Sequence, residues 1–271
     1  MIIISKAFKF FDTLYNQRNL ISSLAKREIS NQYQGSLLGF LWAIINPLVM
    51  IMLFWFVFSV GFKVQPVANN VPFVVWLTAG LSIWMFFSEV ILGSSEVIVQ
   101  NAQLIKKTVF KSQILPIVKM LSASVTHLVF VIILMVLMVY QKQTFSVYFF
   151  QAFYYFFCAT VLAIGVSWLF SSISVFVRDA SKFLSLLMQI IFWVTPIFWD
   201  LNIMQDPRVR MVMQYNPVYY ITEGYRDSFI NFVPFWDKPT QGFIFWGITS
   251  FFVVLGSSVF QKLKGHFPDV L

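Results

Sequence analysis

Few side chains in this sequence are suited to catalysis. The chain holds two histidines, His127 and His266, and one cysteine, Cys158, and it has no Cys/His cluster at metal-ligand spacing and no Asp-x-Asp pair. None of its eleven glycines is followed by lysine, which excludes a phosphate-binding loop of the Gly-Lys-Ser/Thr type. We therefore expect that the chain is not an enzyme, binds no metal or cofactor itself and does not hydrolyse ATP alone.

Three reactive side chains lie inside apolar runs. His127 is either a proton-relay or substrate group, or a histidine hydrogen-bonded to a neighbouring helix, which is the more frequent role. Glu89 lies close to the end of its run, where its carboxylate can reach the headgroup region instead of serving transport. Cys158 has no partner for an intrachain disulfide, so we interpret it as a small packing residue.

The composition is that of an integral membrane protein. The chain is 59% hydrophobic and 11% charged, about half the charge of a soluble globular protein, and its mean hydropathy is +0.77. The net charge of +8 is spread between apolar runs and forms no dense patch, which argues against nucleic acid as a partner.

Charge-poor runs long enough to cross a bilayer predict an all-α membrane protein with six transmembrane helices. The predicted spans are Leu37 to Phe62, Val71 to Leu92, Pro116 to Tyr140, Tyr148 to Phe170, Phe183 to Trp199 and Gly242 to Phe260. Six crossings place thirteen of the nineteen lysines and arginines on the side of the N-terminus. We therefore predict that both termini are cytoplasmic.

The whole chain, 1–271, reads as one membrane domain. We divide it into a cytoplasmic interfacial segment (1–35), a six-span bundle (36–261) and a cytoplasmic tail (262–271). The N-terminus carries Lys6 and Lys9 but no compact apolar core with a cleavage site, so no cleavable signal is expected.

An amphipathic helix is predicted before the first span. Its apolar side would hold Leu20, Ile21, Leu24, Ala25, Ile29 and Tyr33, and its polar side Ser22, Ser23, Lys26, Arg27 and Ser30. A basic polar face suits anionic headgroups, so this helix is expected to lie in the membrane interface and to contact lipid.

The segment Asp200 to Lys238, between the fifth and sixth spans, is too apolar for an ordinary loop. Asn216 followed by Pro217 is a typical helix start, and a helix of about 14 residues from there rises only about 21 Å. We predict a re-entrant or surface-lying pair of short helices around a turn near Asp206 to Arg208.

The cytoplasmic stretch from Ser94 to Leu115 suits a soluble partner. A short amphipathic helix there would present Leu104 and Phe110 beside Lys106, Lys107 and Lys111. A basic loop that only fixes topology would have the same composition.

Aromatic residues make up 19% of the chain. Their rings can pack against the C–H faces of sugars in a pathway, although interfacial belts and lipid packing account for many of them. The pathway candidates, chosen from helix position, are Trp42, Phe54, Trp55, Phe58, Trp193, Phe198 and Trp199.

Four pieces of the sequence, in order, resemble the permeases of polysaccharide-exporting ABC transporters, the O-antigen and teichoic-acid group. The most specific is the segment Lys26 to Leu48 with its Tyr-Gln-Gly-Ser-Leu-Leu-Gly motif at Tyr33 to Gly39. The others are Leu104-Ile105-Lys106-Lys107 through Leu115-Pro116, Arg178-Asp179 followed by Thr195-Pro196-Ile197-Phe198, and Tyr215-Asn216-Pro217 with Tyr225-Arg226.

This resemblance implies a six-span subunit of the bacterial inner membrane that pairs with a second copy of itself around a path for lipid-linked polysaccharide. Each copy would dock a separate ATPase, which binds ATP and Mg²⁺. The implied sites are a cytoplasmic entrance at Lys26, Arg27, Tyr33 and Arg178, a coupling segment at Gln103, Leu104, Lys106, Lys107, Phe110 and Lys111, and an external gate at Asn216, Pro217, Glu223 and Arg226.

The basic residues of the entrance would attract the diphosphate of the lipid carrier, or equally anionic headgroups. The competing functions are a secondary carrier or channel for another substrate, export of capsule or teichoic-acid polymer, and a membrane acyl- or glycosyltransferase. The shortage of midplane acids argues against the first, and the shortage of histidines and paired carboxylates against the last.

Overall fold

A computed structural model of the chain describes residues 12–64, 71–107 and 110–271. Across these ranges the backbone forms helices and turns and contains no β-strand. The α-helices are α1 (Arg18–Tyr33), α2 (Trp42–Trp55), α3 (Phe73–Ser95), α4 (Val97–Gln100), α5 (Ala102–Lys107), α6 (Leu115–Tyr140), α7 (Gln151–Ser174), α8 (Asp179–Val194), α9 (Pro207–Gln214), α10 (Pro217–Arg226), α11 (Pro239–Leu263) and α12 (Phe267–Val270).

Two helices continue as π-helical turns, α2 through Phe56–Gly61 and α10 through Asp227–Asn231. Short 3₁₀ turns connect the remaining elements. They lie at Gly39–Leu41, Ser112–Ile114, Val147–Phe150, Leu201–Ile203, Phe235–Asp237 and Lys264–His266.

In the described parts of the chain, five helical stretches are long and apolar enough to cross a membrane. They are Gly39–Gly61, Phe73–Ser95, Ser112–Tyr140, Val147–Ser174 and Pro239–Val270. Each coincides with a predicted span, which confirms an all-helical, multi-pass membrane protein.

The predicted fifth span, Phe183 to Trp199, is only partly helical. Helix α8 has 16 residues and rises about 24 Å, less than the bilayer core of about 30 Å. It ends because Thr195 is extended (ψ 136°), as expected before Pro196, which disfavours helical geometry in the preceding residue. The sixth crossing stays a prediction.

Helix α3 is the centre of the bundle. Residues from Phe73 to Ser95 are buried on almost every side, against α6, α7, α8 and α10. This agrees with a sequence that is apolar all round and not along one stripe. Around α3, the main core continues through Phe130, Tyr155, Ile197 and Phe245.

Helices α7 and α11 approach closely at two glycines. A Cβ at Gly165 would lie 2.9 Å from the backbone nitrogen of Val253, and a Cβ at Gly256 would overlap the carbonyl oxygen of Gly165. Small residues allow such backbone contact between membrane helices. By contrast, α2 buries only the narrow stripe Ala43, Pro47 and Ile51.

The predicted N-terminal amphipathic helix is present as α1. Its polar side is exposed as predicted, whereas Ile21 and Ala25 pack on Ile117 and Val118 of α6, and Leu20 remains exposed. Part of the face expected to contact lipid is therefore covered by the bundle.

Candidate functional site

The segment 200–238 folds as a sequence of capped short helices. The Asn216 side chain accepts a hydrogen bond from the backbone N–H of Val218 at 2.9 Å and starts α10, as the Asn-Pro pair predicts. Asp206 caps α9 in the same way, so the turn between the two short helices lies at Tyr215 and Asn216 and not at Asp206 to Arg208.

Asn216 also joins this segment to the end of α8. Its amide nitrogen donates to the hydroxyl of Thr195 at 3.0 Å. Two external-gate candidates, Asn216 and Pro217, therefore lie at the point where the apolar run of α8 breaks.

Arg226 is the most deeply buried charge in the described residues, with 1% of its surface exposed. Its guanidinium donates to the carbonyl oxygens of Pro196 at 2.9 Å and Ile197 at 2.6 Å, and it forms an ion pair with Glu223 at 3.1 Å. Buried charges are stable only when they are paired and hydrogen-bonded in this way. Arg226 thus ties α10 to the chain just after α8.

Helix α3 completes the Arg226 site. The guanidinium carbon lies 3.5 Å from the centre of the Trp76 ring, within cation–π range. Gly80, one turn further along α3, leaves the space for the guanidinium, since a Cβ there would be 2.8 Å from its Nη2.

His127 connects three helices next to this site. Its Nδ1 lies 3.2 Å from the carbonyl oxygen of Ser82, which can only accept, so Nδ1 carries the proton. Its Nε2 then accepts from the hydroxyl of Tyr225 at 2.9 Å. The geometry is that of a histidine hydrogen-bonded to its neighbours, one of the two roles that the sequence left open.

Two further contacts hold the π-helical turn and the residues that follow it. Asp227 forms an ion pair with Lys238, and burial raises the pKa of the Asp227 carboxyl while the Lys238 ammonium opposes that rise. The Gln151 side chain donates to the carbonyl of Val233 and accepts from the N–H of Phe235, both at 2.8 Å.

Five of the seven pathway candidates lie together beside this segment. Phe198 is in ring contact with Phe54, Phe58 and Trp193 at centroid distances of 6.1, 4.7 and 5.0 Å. The indole of Trp199 donates to the backbone carbonyl of Trp193. Phe192 and Trp84 belong to the same group, which we call the aromatic cluster, and helix position alone did not single them out.

The other two candidates lie apart. Trp42 and Trp55 are exposed on α2, without a ring contact to the rest of the described chain. Exposed indoles on a membrane helix are equally suited to lipid.

At the opposite end of the bundle, three of the entrance candidates lie on α1, and the fourth, Arg178, immediately precedes α8. Lys26, Arg27 and Arg178 are exposed, whereas Tyr33 is half-buried and packs edge-on against Phe40 at 5.8 Å. Burial raises the pKa of the Tyr33 phenol, and the charge of Glu89 raises it further. Tyr33 therefore keeps its proton and can donate a hydrogen bond.

The stretch from Ser94 to Leu115, predicted to hold one short amphipathic helix, forms two, α4 and α5, and the coupling candidates begin in α5. Gln103, Lys106 and Lys111 are exposed and Leu104 and Phe110 are half-buried; the side chain of Lys107 lies outside the described residues. In α5 the buried residue is Ile105, which belongs to one hydrophobic cluster with Val97, Ile98 and Phe267. Phe267 of α12 was not singled out from the sequence, since the tail is short and polar.

A match to a known protein family covers most of the chain and agrees with its helical, multi-pass fold. Residues 19–230 match the family described as ABC-2 type transporter, and the chain belongs to it. Proteins of this kind are membrane components of transporters and not enzymes.

Individual relatives have a more specific name. The chain is 28% identical over 258 residues to the O-antigen export system permease protein RfbA of Klebsiella pneumoniae, covering 93% of this chain and 95% of the relative. A protein of the same name from Myxococcus xanthus is 30% identical over 224 residues, covering 80% and 82%.

Proposed function

We propose that this chain is the permease subunit of an ATP-driven exporter that moves lipid-linked polysaccharide of the O-antigen type across the bacterial inner membrane. The observation that carries the proposal is the similarity, over 93% of the chain, to a permease named for O-antigen export. The sequence agrees, since no glycine is followed by the lysine of a phosphate-binding loop.

The energy would come from a separate ATPase that docks on the cytoplasmic side. The exposed side chains of Gln103, Lys106 and Lys111 suit a soluble partner, and the buried Ile105 fixes α5 to the bundle. A push on α5 would therefore be passed to the ends of α6, α7 and α11, whose residues share that cluster.

A second copy of the chain would complete the path. In this arrangement α8 and the residues up to Trp199 form a sixth crossing, α9 and α10 form the external gate, and both termini are cytoplasmic. The aromatic cluster at the junction of α2 and α8 offers ring faces to sugar C–H groups.

The test is transport by purified components. Vesicles that contain the permease and the ATPase encoded beside it should move lipid-linked glycan on addition of ATP, and a hydrolysis-deficient ATPase should abolish movement. If the vesicles move capsule or teichoic-acid polymer and not O-antigen glycan, the substrate of the proposal is wrong but ATP-driven export is retained. Movement without any ATPase would favour a secondary carrier.

A further inference from the structure

A polar cleft lies between α1 and the ends of α3 and α6. Its volume is about 180 Å³, and its polar lining consists of Glu28, Gln32, Glu89, Lys119 and Ser122. The remaining lining residues are Leu92 and Gly93 of α3. The cleft is distinct from the aromatic cluster and from the Arg226 site.

The cleft holds two carboxylates and one lysine, whose ion pair is with Glu28 and whose charge also acts on Glu89. Lys119 forms an ion pair with Glu28, and the hydroxyl of Thr126 lies 3.5 Å from the Glu89 carboxylate. The side chain of Gln32 also faces Glu89. One lysine against two carboxylates gives a formal net charge of −1, which disfavours a phosphate.

Ser122 shows that the cleft has hydrogen-bonding capacity to spare. Ser122 is 5% exposed and lines the cleft, and its hydroxyl forms no hydrogen bond with the described residues. This oxygen does not belong to the fully buried polar atoms that lack a partner, so it is open to the cleft and free to bond a molecule that enters. A ligand with hydroxyl groups would satisfy it.

The mixture of groups narrows the class of ligand. A metal ion would be attracted by the carboxylates but repelled by Lys119. A sugar hydroxyl can both donate and accept a hydrogen bond, so a sugar can bind the carboxylate, ammonium, amide and hydroxyl groups that line the cleft. Tyr33 does not line the cleft, but its phenol interacts with Thr126 and Glu89, so an aromatic ring lies near the cleft. We propose that this cleft binds a sugar of the lipid-linked substrate on the cytoplasmic side.

This proposal rests on the proposed function. It assigns recognition of the lipid-linked substrate to two surfaces of the protein. The exposed cations Lys26 and Arg27 of α1 face the diphosphate, and the cleft on the covered side of α1 holds the hydroxyl-rich group. Because Glu28 and Gln32 are on α1, a sugar that enters competes for the contacts that hold α1 to α3 and α6. Substrate recognition and the position of α1 are then linked.

The experiment compares two lipids on the purified permease–ATPase complex: undecaprenyl diphosphate carrying the glycan and undecaprenyl diphosphate alone. Glu89→Gln and Ser122→Ala should each weaken binding of the glycan-bearing lipid about tenfold, the loss of one strong hydrogen bond, and leave the bare lipid unchanged. The matched control is Asp179→Asn. It changes an exposed carboxylate whose ion pair with Lys182 is also exposed.

Equal weakening for both lipids, or none for either, overturns the sugar site. If binding depends on an added metal ion and Glu89→Gln removes this dependence, the cleft binds a cation and not a sugar. That result also overturns the sugar site. Ser122→Ala removes a single oxygen, so it keeps the test decisive if Glu89→Gln does not assemble. A wild-type complex that neither binds nor exports the glycan-bearing lipid contradicts the proposed function itself, which separates the two failures.

Discussion

The guanidinium of Arg226 is stacked on the ring of Trp76, 3.5 Å from its centre, although the two residues belong to helices that are far apart in the sequence. The same guanidinium bonds the two carbonyls that follow the break in α8. One side chain thus joins α3, α10 and the end of α8. The segment 200–238 is therefore anchored to the bundle centre.

Arg226→Lys should destabilise the protein. Lysine keeps the charge but cannot bond two carbonyls and stack on an indole at once. We expect a loss of about 3 kcal/mol in the free energy of unfolding, typical of a broken buried charge network, measured by denaturation in detergent. Arg208→Lys, at an exposed position of α9, is the control and should change little; an equal loss in both variants would contradict the assignment.

Gly80→Ala should be harmful only while Arg226 is present. The new Cβ would lie 2.8 Å from Nη2 of Arg226, and such overpacking costs about 1–3 kcal/mol. In an Arg226→Ala background the same change should be neutral or stabilising by up to about 1 kcal/mol, because alanine is the better helix former. Gly247→Ala, where the Cβ meets open space, is the matched control. Identical effects of Gly80→Ala in both backgrounds would show that the two residues are not coupled.

Tyr225→Phe tests the role of His127. It removes the donor to Nε2, so a double-mutant cycle with His127→Ala should give a coupling of about 0.6 kcal/mol, the mean found for hydrogen bonds between membrane helices. Tyr140→Phe, at an exposed end of α6, serves as the control. Export should persist in Tyr225→Phe; abolished export with unchanged stability would instead support a proton relay.

Phe267→Ala tests whether the tail supports the coupling segment. Phe267 is fully buried in the cluster that includes Ile105 of α5, and its truncation costs about 3–5 kcal/mol of local packing. We expect the isolated permease to remain membrane-inserted while its stimulation of the partner ATPase falls several-fold. Val270→Ala changes an exposed residue of the same short helix and should have no effect. Normal stimulation in Phe267→Ala would mean that α5 is held without the tail.

The sequence was sufficient for features that depend on local pattern. Five apolar runs became membrane-length helices, the polar side of α1 is exposed, and Asn216 caps α10, the start that the Asn-Pro pair favours. The resemblance to polysaccharide-export permeases is confirmed by the match to the ABC-2 type transporter family together with the relatives named for O-antigen export.

Features that depend on contacts distant in sequence could not be predicted. The burial of Arg226 requires the space at Gly80 and the ring of Trp76, and neither can be inferred from the sequence of the segment 200–238. The early end of α8 was hidden because hydropathy stays high through Trp199, whereas Thr195 and Pro196 set the backbone. The cleft beside Glu89 forms only when α1 covers α3 and α6.

The most direct test of the account is transport in vesicles that contain only this permease, its partner ATPase and lipid-linked glycan. We predict that glycan reaches the opposite leaflet only with ATP and with a hydrolysis-competent ATPase. Glycan movement of equal rate in vesicles that contain the permease alone would contradict the account.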